Sequence, residues 1–192
     1  MSVFTRIGGA LALSLMLSGP ASADRYVIDT QGAHAAINFR IQHLGYSWLT
    51  GRFNRFEGHF DYDEQNPSAA GVTVTIDTAS VDSNHAERDK HLRSKDFLNV
   101  RKYPEARFVS TGFKATGVDA GVLTGNFTLN GITKPLTIDV KHIGGGSDPW
   151  GGYRHGFTGT AQFALADYDI TFNLGPKSKA VELELHVEGI RQ

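Results

Sequence analysis

Apolar and polar residues alternate with a period of two along most of the chain. The C-terminal stretch VELELHVEG is the most regular, because apolar residues occupy the odd positions from 181 to 187 and charged residues or a histidine lie between them. The same alternation appears in AAINFRIQH at 35–43, GVTVTID at 71–77 and GFTGTAQFAL at 156–165. Side chains of a strand point alternately to its two faces. Each stretch therefore predicts a strand with one apolar and one polar face, as in antiparallel sheets.

The stretch LTGRFNRFEGHFDY, at residues 49–62, changes phase midway. Its apolar face lies on odd numbers up to Phe53 and on even numbers from Phe56 onward. A β-bulge adds one residue to a strand and would bring both halves back to a common face. We therefore predict a bulge near Asn54-Arg55.

Two glycine-containing segments predict turns. Asn130-Gly131 lies between two alternating stretches and is the strongest short signal for a β-hairpin. GGGSDPWGG, at 144–152, predicts a loop between strands. It does not predict a phosphate-binding loop, because no Lys-Ser/Thr pair and no helix follow it.

The chain contains eight or nine such strands from Arg25 onward, mostly joined by short loops, with a longer insertion only at 82–104. Strands and helices do not alternate, which argues against a parallel sheet. Closing the sheet removes its exposed edges. The predicted fold is therefore all-β, an up-and-down antiparallel β-barrel with one short polar crossover helix.

The crossover helix is predicted in the polar segment SNHAERDKHLRSKD, residues 83–96. Ser83 or Asn84 is expected to cap its N-terminus. Three apolar residues are expected to hold it against the barrel: Leu92, Phe97 and Leu98.

Histidines are the residues to test for chemistry. His85 and His91 are six apart and lie on different helical faces, so we predict a structural helix without a metal site. The other histidines are His34, His43, His59, His142, His155 and His186. None has a second histidine two residues away, which predicts isolated surface or capping roles, with His34 expected to hydrogen-bond near Asp29. Since nucleophile-elbow, phosphate-loop and dinucleotide motifs are also absent, we expect no catalytic residue, no metal and no cofactor.

The first 23 residues have the composition of a secretory signal. One positive charge at Arg6 precedes an apolar run from Ile7 to Leu17, and Ala21-Ser22-Ala23 follows as a small-residue cleavage pattern. The run is too short to span a bilayer. We therefore expect a cleaved signal at 1–23, a single domain at 24–192, and location in the periplasm of a Gram-negative bacterium.

Charge and cysteine content narrow the function classes. The formal net charge is −1, which gives no reason to expect nucleic acid as a partner. We also expect no integral membrane segment. The chain has no cysteine, so the domain is expected to be stable without disulfides.

Eight residues on the apolar faces are the candidate ligand-binding set. They are Ile37, Phe39, Ile41, Leu49, Phe53, Phe127, Phe157 and Phe163. An eight-stranded barrel is either filled by its side chains or encloses one small ligand. Alternation alone leaves both interpretations open.

Several long stretches resemble the YceI-like family. They are IDTQGAHAAINFRIQHLGYSWLTGRF, SVDSNHAERDKHLRSKDFLNVRKYPEARFVST, LTGNFTLNGITKPL and DPWGG. Many members carry an Arg-Ser-Asp-Phe/Tyr-Gly run where this chain has Leu165-Ala166-Asp167-Tyr168-Asp169. The resemblance implies an exported lipocalin-like barrel that binds polyisoprenoid chains, and it favours a lined pocket over a filled core.

The resulting hypothesis is an exported soluble protein, not an enzyme, that binds a long-chain isoprenoid or similar lipid of quinone or polyprenyl type for transport, storage or stress response. The resemblance also suggests a homodimer. The alternatives are a small outer-membrane β-barrel, which shares the alternation, and an enzyme acting on a lipid substrate.

Overall fold

The structure, a computed structural model, describes residues 23–192. The predicted signal segment therefore lies, except for Ala23, outside the described residues. In residues 23–192 there is no helix with the length and apolar character needed to cross a membrane.

The described residues form eleven strand segments and one α-helix. They are β1 Asp24–Ile28, β2 Ala36–His43, β3 Ser47–Phe53, β4 Phe56–Tyr62, β5 Gly71–Asp77, β6 Val81–Asp82, α1 Ala86–Leu92, β7 Glu105–Ala115, β8 Ala120–Leu129, β9 Ile132–Ser147, β10 Tyr153–Ala164 and β11 Ala180–Arg191. Three short 3-10 turns cover Pro67–Ala69, Thr78–Ser80 and Leu165–Tyr168.

These segments make eight long strands, because three of the strands are each built from two segments. β1 continues into β2, β3 into β4, and β5 into β6. Each long strand pairs antiparallel with the next one along the chain. The ring closes because β11 pairs with β1 at one end and with β2 at the other. This confirms the predicted up-and-down antiparallel barrel.

The interruption between β3 and β4 falls where the phase change predicted a bulge. The neighbouring strand is interrupted at the same level by the 3-10 turn Thr78–Ser80. Asn54 N donates to Ser80 O at 3.1 Å, and Arg55 N donates to Ser80 Oγ at 3.0 Å. The irregularity thus involves two neighbouring strands instead of one extra residue, and apolar residues on both sides of it still face the interior.

The hairpin at Asn130-Gly131 is confirmed. Leu129 pairs directly with Ile132, and the two residues between them have φ values of +50° and +76°. Positive φ at both central positions is the type I′ geometry that matches the twist of the flanking strands.

The loop predicted at 144–152 is shorter than expected. Gly144, Gly145 and Gly146 belong to β9, where they pair with β10, and the turn is confined to 148–152. A bulge follows in the same ladder: Gly156 pairs with Gly144 but Phe157 pairs with His142. Three consecutive glycines predict a loop because glycine is rare within strands. In this protein they remain in a strand because they are paired with β10.

The crossover contains α1, and its cap differs from the prediction. His85 is the N-cap, and its Nδ1 accepts from Arg88 N at 3.2 Å. Ser83 is buried and donates both its backbone N–H and its hydroxyl to the Asp89 carboxylate. Because the Ser83 hydroxyl already donates a hydrogen bond to Asp89, it is not available to cap the helix.

Buried residues after the helix hold the crossover over one end of the barrel. Phe97 and Leu98 are buried in the main core, and Leu92 packs against it, as predicted. Arg93 also fixes the segment, since its guanidinium donates to Ala79 O at 2.8 Å and to Val81 O at 2.7 Å. The helix therefore closes the barrel end at which β6 finishes.

Candidate ligand-binding cavity

An apolar cavity of about 240 Å³ lies inside the barrel. All eight long strands contribute inward-facing residues to its wall. Leu92, Phe97 and Leu98 line it at the end covered by the crossover, and Tyr62 and Gly71 line it at the opposite end. The barrel interior therefore contains a lined pocket as well as packed core residues. The alternation of apolar and polar residues along the sequence does not distinguish a lined pocket from a filled core.

Six of the eight predicted ligand-binding residues line this cavity. They are Ile37, Phe39, Phe53, Phe127, Phe157 and Phe163. Ile41 and Leu49 are not among the lining residues; they form a cross-strand pair closer to the turn between β2 and β3. Contact with a ligand stays a prediction for all eight.

The cavity wall carries very little polarity. Among the described residues that line it, only Asp61, Tyr62 and Thr158 have polar side chains. Asp61 forms an ion pair with Arg25, with Nε to Oδ1 at 2.9 Å, and this hydrogen bond lowers the pKa of Asp61. Arg25, on the neighbouring strand β1, therefore neutralises the charge of Asp61, and this charge is not available to a ligand in the cavity.

Phe39 is placed in the wall by a glycine opposite to it. Phe39 pairs with Gly51 across β2 and β3, and a Cβ added to Gly51 would lie 2.3 Å from the Phe39 ring. The ring also packs against Phe53, with centroids 5.8 Å apart. The sequence therefore uses a small residue to lay a large aromatic ring along the wall.

The crossover end of the cavity is sealed by aromatic residues. The Phe97 ring packs against His91 and Phe172 with centroids 4.9 and 5.2 Å apart. Nearby, Tyr168 packs against Phe127 and is almost fully buried. Burial raises the pKa of Tyr168 to about 12. This end therefore presents an uncharged surface to the cavity.

The opposite end contains two of the histidines that are predicted to have isolated roles. His142 Nε2 lies 3.0 Å from His155 Nδ1, so isolated roles are wrong for this pair. Both rings pack against the lining residues Tyr62 and Phe157. Burial, together with the neighbouring His142, lowers the pKa of His155. The sequence does contain a signal that both histidines face the interior. His142 follows Val140 by two residues, and His155 precedes Phe157 by two. Each histidine therefore lies on the same strand face as a cavity-lining residue.

A polar cluster outside the cavity joins β1, β10 and β11. Arg154 Nη1 donates to Asp29 Oδ2 at 2.8 Å and to Glu188 Oε1 at 2.6 Å, and Arg154 Nε donates to Asp148 Oδ2 at 2.7 Å. His34 Nδ1 lies 3.0 Å from Asp29 Oδ2, which confirms the predicted hydrogen-bonding pair. The hydrogen bond from Arg154 is the main reason that the pKa of Asp29 is lowered to about 2. This cluster ties together the strands that close the barrel.

Comparison with known proteins gives the family. A YceI-like domain matches residues 26–189, which spans the whole barrel. A UPF0312 protein of Pseudomonas aeruginosa (strain LESB58) is 62% identical over 183 residues, covering 95% of each chain.

Two solved structures share the fold. BcnA from Burkholderia cenocepacia superposes with a TM-score of 0.75 at 21% identity, covering 84% of this chain and 98% of BcnA. A polyisoprenoid binding domain from Saccharophagus degradans, implicated in plant cell wall breakdown, superposes with a TM-score of 0.65 at 15% identity, covering 87% of this chain and 98% of that domain. With the matched domain and the close relative, these findings show that the chain belongs to the YceI-like family.

Proposed function

We propose that this protein binds one long isoprenoid chain, as the tail of a quinone or a polyprenyl lipid, inside the barrel. The apolar cavity is the observation that carries the proposal. It extends between the two ends of the barrel and offers a ligand almost only hydrocarbon contacts. A long, thin apolar molecule matches such a wall, whereas a polar or charged one would lose its hydration without compensation.

The energetic cost of an empty cavity supports an occupant. Unfilled core volume costs about 24 cal/mol per Å³, so 240 Å³ corresponds to about 6 kcal/mol. Domains are stable by only about 5–15 kcal/mol in total. Water relieves little of this cost, because the wall offers it almost no polar partner. A bound hydrocarbon would remove much of the free-energy cost of the unfilled volume.

The length of the chain follows from the cost of binding. Each buried methylene contributes about 0.8 kcal/mol, and association costs about 4–15 kcal/mol in lost freedom. Ten methylenes would supply only about 8 kcal/mol before that cost. Micromolar affinity needs about 8 kcal/mol net. A chain considerably longer than ten carbons is therefore required, as in polyisoprenoid lipids.

The related proteins agree with an isoprenoid in particular. The family is YceI-like, and the Saccharophagus degradans neighbour is named for polyisoprenoid binding. We therefore favour an isoprenoid over a fatty acid.

Ion pairs on the outer face of the sheet favour this function over an outer-membrane barrel. Arg40 pairs with Glu182 at 2.7 Å across β2 and β11, and Arg55 pairs with Asp77 at 2.7 Å near the end of β5. A lipid-facing surface disfavours charged side chains at the bilayer midplane by about 2–4 kcal/mol each. Water is thus the more suitable surroundings for this outer face.

A binding role without catalysis and a periplasmic location complete the proposal. The predicted signal at 1–23 supports export, and carriage or storage of a lipid between membranes gives a reason for it. Among the described residues of the cavity wall, the charged one is Asp61, which is paired with Arg25 and so is not free to act as acid or base. This supports a carrier over a lipid-modifying enzyme.

The direct test is transfer of a quinone from vesicles to delipidated protein. The protein is incubated with vesicles containing a quinone with a long isoprenoid tail, separated by gel filtration, and the bound quinone is quantified by chromatography. We expect about one quinone per protein, and much weaker uptake of the same quinone with a two-isoprene tail. Equal uptake of both, or none of either, would contradict the proposal.

A further inference from the structure

The pair His142 and His155 has a spacing that suits a shared metal ion as well as a hydrogen bond. The β9–β10 bulge leaves Ile143 without a partner, and just before it His142 pairs with Phe157 on the inner face. His155 lies on the same inner face, and the two facing nitrogens are 3.0 Å apart. Nitrogens that bind one transition-metal ion at about 2.0–2.1 Å lie about 2.8–3.4 Å apart for angles between about 90° and 110°. The rings therefore already have the spacing of metal ligands.

The surrounding residues hold the His155 ring in place. Its side chain is only 3% exposed. A Cβ added to Gly145, its partner in β9, would lie 2.2 Å from the ring, so only glycine leaves room there. Tyr26 and Tyr62 pack edge-on against it, with centroids 5.1 and 4.9 Å away. Metal sites depend on this kind of support, which fixes the direction of the ligand.

Two carboxylates lie close to the two histidines. Glu64 Oε1 is 3.6 Å from His155 Nε2, and Asp119 Oδ1 is 3.8 Å from His142 Nδ1. Both distances exceed a hydrogen bond but lie within reach of a small side-chain rotation. One ligand atom from each of Glu64, His142 and His155 lies within 4.8 Å of the other two. Two carboxylates also offset the charge of a divalent cation.

We propose that Glu64, His142 and His155 form a site for a divalent transition-metal ion at the end of the barrel opposite the crossover. Each histidine supplies one ring nitrogen, Glu64 supplies a carboxylate oxygen, and Asp119 orients the His142 ring from outside. Two imidazoles and one carboxylate favour Zn²⁺, Ni²⁺ or Cu²⁺ over Mg²⁺ and Ca²⁺, which prefer oxygen ligands. Binding requires neutral imidazoles and releases any proton that they carry.

This site is independent of the proposed lipid function, although its histidines touch the cavity residues Tyr62 and Phe157. The distinction matters for the test, because metal binding is measured in delipidated protein with the ion alone. Failure of lipid uptake then leaves the metal result unaffected, and the reverse is also true.

The experiment is calorimetric titration of chelator-treated, delipidated protein with ZnCl₂ at neutral pH. We expect one saturable site in the parent protein. Glu64→Gln and His142→Gln should each weaken it at least 10- to 100-fold, the range observed when even an outer-shell group is removed. Glu64 is an exposed loop residue, so Glu64→Gln tests the site without risk to folding.

Two controls make the assignment specific. His186→Gln changes an outer strand histidine that contacts only Glu184 among acidic residues within 4.0 Å in the described part of the chain. His34→Gln changes the other cluster with suitable donors, Asp29, His34 and Glu188. Both variants should bind Zn²⁺ as the parent does. Absence of saturable binding in the parent, or binding abolished by His34→Gln but unaffected by Glu64→Gln and His142→Gln, would overturn the proposal.

Discussion

Arg154 and Asp29 are 125 residues apart in the chain, yet Arg154 Nη1 donates a 2.8 Å hydrogen bond to Asp29 Oδ2. The Asp29 side chain is 8% exposed and that of Arg154 19% exposed, so water reaches this pair only slightly. Asp29 follows β1 directly, and Arg154 lies in β10, on the far side of β11. The bond therefore crosses the seam at which the barrel closes.

Replacement of Arg154 by Met should destabilise the fold. It leaves Asp29, Asp148 and Glu188 without their shared cation, and removal of one partner of a shielded ion pair is costly. We expect Tm to fall by roughly 5–10 °C. The matched control is Arg25→Met, which removes an exposed pair with Asp61 and should change Tm very little. Equal changes in the two variants, measured by circular dichroism, would refute a special role for Arg154.

The same cluster predicts how stability depends on pH. The pKa of Asp29 is about 2 in the folded protein and near 3.9 in an unfolded chain. A lowered pKa stabilises the fold above the unfolded value, and the stabilisation is lost as pH falls through the folded value. Arg154, His34 and Glu188 face Asp29, and of these Arg154 dominates the shift.

The measurement compares the parent with Asp29→Asn across this range. The difference in Tm between them should be constant above about pH 4 and should shrink toward pH 2. Carboxylates outside the Arg154 cluster titrate alike in both proteins and cancel in the difference. A difference that stays constant down to pH 2 would show that Asp29 does not carry the effect.

Gly131 should be the least replaceable residue of the β8–β9 hairpin. Its φ is +76°, and an added Cβ would lie 2.4 Å from the Tyr103 ring. Gly131→Ala is expected to cost about 1–2 kcal/mol of unfolding free energy from the left-handed backbone alone, with the contact adding to it. Gly144→Ala is the control, since no atom lies within 4 Å of its added Cβ. That variant should stay within about 0.5 kcal/mol of the parent in urea unfolding.

Phe39→Asn should separate ligand binding from folding. Phe39 lines the cavity, so its replacement places an amide where an apolar chain would lie. An unmade hydrogen bond there costs about 1–3 kcal/mol, and water can relieve part of it in an open cavity. We expect strongly reduced quinone uptake with a modest loss of Tm.

Phe56→Asn is the matched control for Phe39→Asn. Phe56 packs against both core clusters but is not among the cavity-lining residues. Loss of a core phenylalanine costs about 3–5 kcal/mol, so this variant should lose more stability and, while folded, retain uptake. Similar stability and uptake in both variants would mean that the cavity wall is ordinary core.

Much of the fold was predictable because alternation directly reports which side of a strand is buried. The phase change after Phe53 and the Asn130-Gly131 turn each located a real feature, since both signals are local. The glycines at 144–146 wrongly predicted a loop. Their strand conformation depends on pairing with β10, and this pairing is not a local property of the sequence. The helix cap was misassigned because Ser83 is already bound to Asp89 through tertiary folding.

The candidate sites were predictable only in part. Alternation identified six cavity-lining residues but not that space remains between them, because cavity volume depends on how all eight strands pack. His142 and His155 each lie on an apolar face, yet their meeting depends on a bulge at Ile143 that no sequence signal announced. Likewise, Asp29 and Arg154 become neighbours only when the barrel closes.

The central claim, that the barrel holds a long isoprenoid, is tested most directly by native mass spectrometry. The protein should be purified from its native host without detergent and without delipidation, and the bound material identified by solvent extraction. We predict a mass excess corresponding to one isoprenoid quinone or polyprenyl lipid per protein, reduced in Phe39→Asn but retained in Phe56→Asn. Protein recovered at its bare mass, or carrying only straight-chain fatty acids, would contradict the account.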